Sequence, residues 1–185
     1  MTQAENDRLK DIGDREGGES ESNAEMNATF ISIDGVDIKT RYNVGVRNRG
    51  QSSRRGPPNN YRVNFVHDNK WKKVSAININ NRYSYSQVIG CAVFQMAGLP
   101  ASNAQGIQLR VNGENIADSG NMMFGSYALT EVFGGDFAEN HFPEDKNGNL
   151  YKAQAYCNDC QPTRWIAGLY YEGTDPADYT AAGYY

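Results

Sequence analysis

The stretch from Asn43 to Phe65 constrains the fold more than any other part of this 185-residue chain. Apolar and polar residues alternate on both sides of a loop that is rich in Gly, Ser, Arg and Pro. Val44 and Val46 point to one side of the first segment, and Tyr61–Phe65 alternates with the same period of two. The Pro57-Pro58 pair and the glycines near it interrupt the strand pattern. The sequence therefore predicts a β-hairpin with a long basic tip.

The tip of this hairpin carries groups that bind phosphate. The loop offers backbone N–H groups and two hydroxyls, from Ser52 and Ser53. Two guanidinium groups come from Arg54 and Arg55, and these donor types are the ones that hold phosphate oxygens. The same composition is equally typical of a solvated, disordered hairpin tip, so the loop by itself leaves both interpretations open.

Charge is distributed unevenly along the chain. Residues 1–27 carry eight acidic and three basic side chains, whereas the remainder carries 14 acidic and 15 basic ones. The first segment is too polar to offset the entropy lost on ordering, so we predict a disordered acidic tail or linker at 1–27 and a domain at 28–185. The near-neutral charge of that domain favours a local anion site over a surface for nucleic acid.

The three cysteines do not make a disulfide framework. Cys157 and Cys160 form a C-x-x-C motif, which is typical of a metal site or a tight disulfide, but the chain has no second such pair and only two histidines. We therefore expect no complete zinc site. We also expect no membrane span, because no apolar run reaches about 18 residues, and no secretory signal is visible in this chain.

The rest of the chain predicts an antiparallel sheet with one principal helix. From Ser84 to Ala97 the apolar residues follow helical spacing, and Gly98 and Pro100 end the pattern. The helix is so apolar that we expect much of its surface to be buried. The fold class is α+β, mostly antiparallel β-sheet. Further strands are predicted at 29–33, 36–40, 73–80, 105–111, 122–132, 149–153 and 164–171, a turn at Asn112-Gly113, a solvated acidic loop at 133–147, and a helix start at Pro176.

Seven short segments occur in an order that is typical of one known family. They are VGVRNRGQSSR (44–54), NYRVNF (60–65), ININNRYS (77–84), GLPAS (98–102), QLRVNGENIA (108–117), GSYALTEVF (125–133) and GNLYKA (148–153). Together they resemble the CotH kinase family, which is named for a bacterial spore coat protein. The resemblance implies an atypical kinase, in which a β-rich, ATP-binding N-lobe precedes a helical C-lobe. It also implies a protein substrate, phosphorylated on Ser or Thr, and a secreted or cell-surface location.

Carried over to this chain, the resemblance implies a site for ATP and Mg²⁺. The loop from Gly50 to Ser53, which includes Ser52, would lie over the phosphates together with the following residue, Arg54. Arg62 stands where the family more often has lysine, and arginine does not replace lysine freely in a tight site. Glu131 matches an acid that would orient the basic residue or a metal, and Lys152 is a second candidate phosphate contact. Without the resemblance, Arg62 is an outward strand residue, and Glu131 and Lys152 form a pair on the sheet.

Phosphoryl transfer also needs carboxylates that position the acceptor and hold Mg²⁺. Neither of the C-lobe segments that carry these aspartates in the family occurs in this chain, so we expect an N-lobe that binds ATP without turnover. Two alternatives stay open. One is a non-catalytic module that binds protein or carbohydrate. The 12 tyrosines of the chain would suit such a recognition surface. The other, binding of single-stranded nucleic acid through the arginines, is disfavoured by the near-neutral charge.

Overall fold

The structure, a computed structural model, describes residues 1–13, 22–50, 54, 58–116, 126–150 and 173–181. The chain divides into two units, Met1–Lys146 and Asn147–Tyr185. The second unit contains a helix, Pro176–Ala181, that begins at the predicted proline. Asp175 lies before it, and its carboxylate accepts a hydrogen bond of 2.8 Å from the backbone N–H of Ala177, as expected at the start of a helix.

The first unit is built on six antiparallel strands. They are β1 (Met26–Ile33), β2 (Ile38–Asn48), β3 (Tyr61–Asn64), β4 (Ala76–Asn80), β5 (Ala104–Gln108) and β8 (Ser126–Glu131), with a separate pair formed by β6 (Arg110–Val111) and β7 (Glu114–Asn115). The helices are α1 (Gln3–Gly13), α2 (Ser84–Met96) and α3 (Gly135–His141), followed by a 3₁₀ turn at Pro143–Asp145; Pro176–Ala181 is α4. The strand order is β1-β2-β3-β4-β8-β5, and the sheet curls into a half-barrel.

This architecture confirms the predicted α+β class. The central hairpin forms as predicted, because β2 pairs with β3 and Gly45 lies opposite Asn64. Strand β5 pairs with β8, and both lie within predicted strand segments apart from Ala104. Asn112 and Gly113 have φ angles of 53° and 85°, which is the left-handed pair that a tight two-residue hairpin requires. The principal helix ends at Met96, one residue before the predicted end at Ala97.

A β-bulge lies at Asn43. Ala28 of β1 lies opposite Val44, whereas Phe30 lies opposite Arg41, so β2 has one residue more than β1 between these two pairs. Asn43 has a φ of 55°, in the left-handed region that asparagine tolerates better than most residues. The extra residue is therefore accommodated where its backbone strain is small.

The bulge decides which way the next residues of β2 point. Inserting one residue reverses the alternation of faces along a strand. After the bulge, Val44 and Val46 are 1% and 8% exposed and face the core. Arg47 consequently lies on the opposite face, and Arg49 continues the same alternation beyond the end of the strand. The single inserted residue thus determines that the valines face the core and that the arginines face the opposite side.

The core lies on the concave face of the sheet and is centred on three aromatic rings. Phe30 meets Phe65 and Trp71 edge to face, with ring centroids 5.2 and 5.6 Å apart. The indole N–H of Trp71 donates to the hydroxyl of Ser32 at 2.8 Å, so this buried polar group is satisfied. Burial also includes every residue that the hairpin pattern placed inward. The cluster is completed by Leu9, Val44, Val46, Tyr61, Val63, Val74, Ile77, Ile79, Tyr127 and Leu129.

The first segment of the chain differs from the disordered tail predicted at 1–27. Gln3–Gly13 is a helix, and its Leu9 and Ile12 are each 1% exposed. Leu9 belongs to the core, and its carbonyl accepts a hydrogen bond of 2.7 Å from the side-chain amide of Asn48. Composition averaged over 27 residues conceals two apolar side chains three positions apart, and that spacing is enough to anchor one face of a short helix.

Helix α2 is less buried than its sequence predicts. Ile89 is 59% and Met96 is 88% exposed, and the buried residue of this helix is Ser84. The spacing of the apolar residues predicts this helix correctly. Because apolar residues occur on all sides of the helix, however, the spacing does not show how many of those sides pack against another element. Here α2 packs on one side against β5 and β8.

The acidic segment 133–147 is not the solvated loop that we predicted. It contains α3, in which Phe137 and Ala138 are buried. The carboxylate of Asp136 fastens this helix to the sheet, since it accepts hydrogen bonds from the Lys70 ammonium at 2.6 Å and from the backbone N–H of Ser75 at 2.7 Å. Asp136 therefore makes a tertiary contact and does not serve as a solubilising surface charge.

Several predictions fall on residues outside the described ranges. These are the strand at 164–171, most of the strand at 149–153, the start of the segment 122–132, and the cysteine pair Cys157 and Cys160. Among the helices of the described ranges, none has the length and hydropathy that crossing a membrane requires, which agrees with the expectation from the sequence.

The packing of α1 is tested by Leu9→Ala. Because Leu9 is buried in the core, we expect the free energy of unfolding to fall by about 2–4 kcal/mol in urea denaturation followed by circular dichroism. Leu99→Ala removes the same atoms from a side chain that is 52% exposed, and it should cost less than about 0.5 kcal/mol. Equal losses in the two variants would contradict the packing of α1.

Candidate anion-binding site

Two arginines lie directly opposite each other on the convex face of the sheet. Arg47 of β2 is the register partner of Arg62 of β3, and Arg62 in turn lies opposite Asn78 of β4. Residues that face each other across antiparallel strands share a face and are close in space, so like charges in this position repel. Both arginines are partly buried, which makes the repulsion harder for solvent to screen.

Arg49 and Arg54 add two more cations at the same place. Burial lowers the pKa of Arg49, and the positive charges of Arg47, Arg62 and Arg54 lower it further. Burial likewise lowers the pKa of Arg47, with Arg62 adding to the effect and Glu25 opposing it. A guanidinium group stays protonated in any case. Positive charge is therefore crowded among Arg47, Arg49, Arg54 and Arg62, which we call the arginine cluster.

Arg54 holds a fixed position although it belongs to the long hairpin loop. It is 5% exposed, and its Nη2 donates to the backbone carbonyl of Asn48 at 2.9 Å. The same Nη2 donates to Oδ1 of Asn23 at 2.7 Å. Arg47 donates to that Asn23 oxygen as well, at 2.8 Å. Two arginines from different parts of the hairpin therefore converge on one oxygen.

Buried asparagines secure the base of the loop. Asn48, Asn59 and Asn81 are each 1% exposed. Asn59 donates to Oδ1 of Asn48 at 3.1 Å, the backbone N–H of Asn81 donates to Oδ1 of Asn60 at 2.7 Å, and the side chain of Asn81 donates to the carbonyl of Pro58. Buried polar groups are costly unless they are hydrogen-bonded, so these bonds fix both ends of the loop where the regular strand pairing stops.

Helix α2 borders the arginine cluster through a chain of amide groups. The guanidinium of Arg49 donates to Oδ1 of Asn80, and the amide of Asn80 donates to Oε1 of Gln87 at 2.7 Å. Gln87 lies in the first turns of α2 and donates to the carbonyl of Arg82 at 2.8 Å. On the strand side, Nε of Arg62 donates to Oδ1 of Asn64 at 2.8 Å. Neutral side chains thus orient Arg49 and Arg62 without neutralising their charges.

The structure brings together part of the predicted site. Arg54 and Arg62 both belong to the arginine cluster. Gly50 stands at the start of the loop with a φ of 108°, a conformation that glycine adopts without the strain of a side chain. Three other predicted residues lie outside the described part of the chain: Ser52, Ser53 and Lys152.

Glu131 does not lie with these residues. It is opposite Ile77, whereas Arg62 is opposite Asn78. Because neighbouring residues of a strand point to opposite faces, Glu131 and Arg62 are on different sides of the sheet. The role that the resemblance implies, orienting the basic residue of β3, is therefore not open to Glu131 in this arrangement.

The Glu131 carboxylate instead holds α3 and the start of β5 together. The backbone N–H of Asn103 donates to it at 2.8 Å, Nε2 of His141 lies 2.7 Å from it, and the amide of Asn140 donates to it at 3.2 Å. Burial raises the pKa of this carboxyl, but these hydrogen bonds outweigh burial, and the pKa falls below its ordinary value. Glu131 is a structural acid.

Four residues at the cluster are missing from the sequence prediction of the site. Arg47 and Arg49 carry a usable signal, because they alternate with Val44 and Val46 and so must share the face opposite the core. Asn23 and Glu25 carry no such signal, since they precede the first strand in a segment that composition assigns to a tail. The position of Asn23 and Glu25 at the cluster follows only from the fold, in which their segment passes over the arginines.

The chemistry of the cluster is that of a receptor for a multiply charged anion. Guanidinium groups donate two parallel hydrogen bonds to phosphate or carboxylate, and several of them converge here. No protein-family model matches the chain, and no curated protein matches it in sequence. The function is therefore inferred from the arrangement of these side chains.

A structural role for Glu131 predicts a particular response to pH. Its folded pKa lies below the ordinary value of 4.5, so its contribution to stability is complete above that pH and is lost as the pH falls through the folded pKa. We expect Glu131→Gln to lower the free energy of unfolding at neutral pH by about 1–3 kcal/mol, because the donors lose a charged acceptor. The variant should then lose less stability than the wild type between about pH 5 and pH 3 in urea denaturation.

The matched control is Glu139→Gln, which changes an exposed acid of the same helix. It should leave both the stability at neutral pH and its acid dependence close to those of the wild type. If Glu131→Gln and the wild type lose stability in parallel on acidification, the carboxylate does not hold α3 in place as described.

Proposed function

We propose that this chain binds the phosphates of ATP on its arginine cluster, as the nucleotide-binding half of a CotH-like protein kinase. The observation that carries the proposal is the direct opposition of Arg47 and Arg62, with Arg49 and Arg54 beside them. Such crowding of like charges opposes folding when the site is empty. A bound polyphosphate reverses the sign of this electrostatic contribution, because each guanidinium then faces an anionic oxygen.

The proposed cofactor is Mg·ATP. Mg²⁺ in such sites is commonly held through phosphate oxygens and one or two carboxylates, with water completing the shell. Among the described residues there is no group of three or more His, Cys, Asp or Glu side chains that could hold a metal ion. The proposal therefore assigns the arginines to the phosphates and assigns no protein ligand to the metal.

We infer that the chain holds ATP without transferring its phosphate. Transfer to a Ser or Thr of a protein substrate needs a carboxylate that positions the acceptor hydroxyl. Glu131, for which the resemblance implies a role in orienting the basic residue or a metal, instead contacts Asn103 and His141 on the other side of the sheet. The aspartate segments that the resemblance implies for a C-lobe are not part of residues 1–185.

A second candidate function is that of a non-catalytic binding module for protein or carbohydrate. Two observations favour it. Helix α2 exposes large apolar side chains, among them Ile89, Val93 and Phe94. In addition, the concave face of the half-barrel contains a cavity of about 940 Å³ whose lining includes Phe30 and Trp71. Aromatic and aliphatic surfaces of this kind are typical of recognition sites.

Titration with Mg·ATP tests the proposed function. We expect saturable binding by calorimetry that weakens as salt is added, because the contacts are charge-charge contacts. Arg47→Gln and Arg62→Gln should each weaken binding about tenfold or more, since each removes hydrogen bonds to a charged group. Arg62→Lys should retain part of the affinity because it keeps the charge but not the two-pronged geometry.

Arg110→Gln is the matched control. Arg110 lies on β6, where its guanidinium donates to the carbonyl of Gly113 at 3.3 Å, outside the arginine cluster. Its replacement should leave the affinity unchanged. The absence of any binding or thermal shift at millimolar Mg·ATP, or an equal loss in the Arg110 variant, would count against the proposal and in favour of the binding module.

A further inference from the structure

The segment that precedes β1 crosses the arginine cluster. Oδ1 of Asn23 accepts hydrogen bonds from both Arg47, at 2.8 Å, and Arg54, at 2.7 Å. One neutral oxygen between two guanidinium groups occupies the kind of position that a phosphate oxygen takes in an arginine site. The chain thus places an acceptor of its own where an anion would bind.

Two residues further along, Glu25 adds a carboxylate at the same face. Its Oε1 lies 3.7 Å from Nε of Arg47, and it accepts a hydrogen bond from the amide of Asn64. The oxygen of the same Asn64 side chain accepts from Arg62. The carboxylate is therefore connected to both members of the opposed arginine pair, directly to one and through a single amide to the other.

Gly45 makes room for this carboxylate. A Cβ at position 45 would collide with Oε2 of Glu25. The φ of Gly45 is not in the left-handed region, so the backbone itself does not call for glycine here. What position 45 provides is close approach, because Glu25 lies directly against the main chain of β2 between Val44 and Val46.

The contact made by Glu25 is weak enough to be displaced. Its side chain is 40% exposed, and 3.7 Å is long for an ion pair. Exposed pairs of this kind contribute little to stability, because solvent and salt screen them. A polyphosphate carries more charge and can bind several guanidinium groups at once, so it should displace Glu25 from the arginines.

We propose that Asn23 and Glu25 form an internal ligand of the arginine cluster, and that phosphate binds by displacing it. This inference rests on the proposed function and concerns the regulation of the same site. The segment 22–25 then lowers the affinity for weak or singly charged anions, while a multiply charged one still enters.

The test compares Glu25→Gln and Gly45→Ala with the wild type, using Mg·ATP and inorganic tripolyphosphate as probes in calorimetry. Glu25→Gln removes the competing charge, so we expect affinity for both probes to rise about two- to fivefold. Gly45→Ala keeps the net charge but forces the Glu25 carboxylate away from the strand, and it should raise the affinity by a similar factor. Glu114→Gln changes an exposed acid of β7 and should have no effect.

The outcomes separate the inference from the proposed function. If the wild type binds both probes and the Glu25 and Gly45 variants bind equally or more weakly, the internal ligand is refuted while the phosphate site stands. If Glu114→Gln raises affinity as much as Glu25→Gln does, general charge explains the effect and the inference is again overturned. If neither the wild type nor any variant binds either probe, the proposed function fails and the inference fails with it. Glu25→Gln alters an exposed side chain, so it keeps the test decisive even where Gly45→Ala does not fold.

Discussion

The pairing of β2 with β3 governs both faces of this molecule. Side chains opposite each other across the two strands share a face, so the register that joins Val46 to Val63 also joins Arg47 to Arg62. Burial of the valines on the concave side stabilises the pairing. The same pairing holds the arginines together against their repulsion on the convex side. The chain cannot separate the cations without also separating part of its core.

Buried amides extend this constraint to the rest of the unit. Asn48 connects α1, through the carbonyl of Leu9, with the hairpin loop, through the side chain of Asn59. The amide supplies both a donor and an acceptor, which an aliphatic side chain of similar size does not. The helix near the start of the chain is thereby coupled to the loop that carries Arg54. A segment that looks like a tail by composition thus supports the position of a candidate binding residue.

Local signals predict much of the fold. The hairpin, the turn at Asn112-Gly113 and the extent of α2 follow from alternation, turn residues and helical spacing within a few residues. What the sequence does not specify is which surfaces meet. The exposure of α2, the burial of Leu9 and the passage of Glu25 over the arginines are long-range outcomes. The placement of Glu131 and Arg62 on opposite faces of the sheet is another such outcome, because the register between β4 and β8 has no local signature.

The bulge at Asn43 gives the two ends of the hairpin different tolerance to changes in length. Between Asn43 and Arg47, removing a single residue would exchange the faces of everything that follows in β2, placing guanidinium groups in the core and valines in water. The connection between β2 and β3 is different, because its ends are fixed by asparagines and loops accept added residues at small entropic cost. Natural variants of this chain should therefore differ in length within that connection, while the five residues from Asn43 to Arg47 keep a constant number.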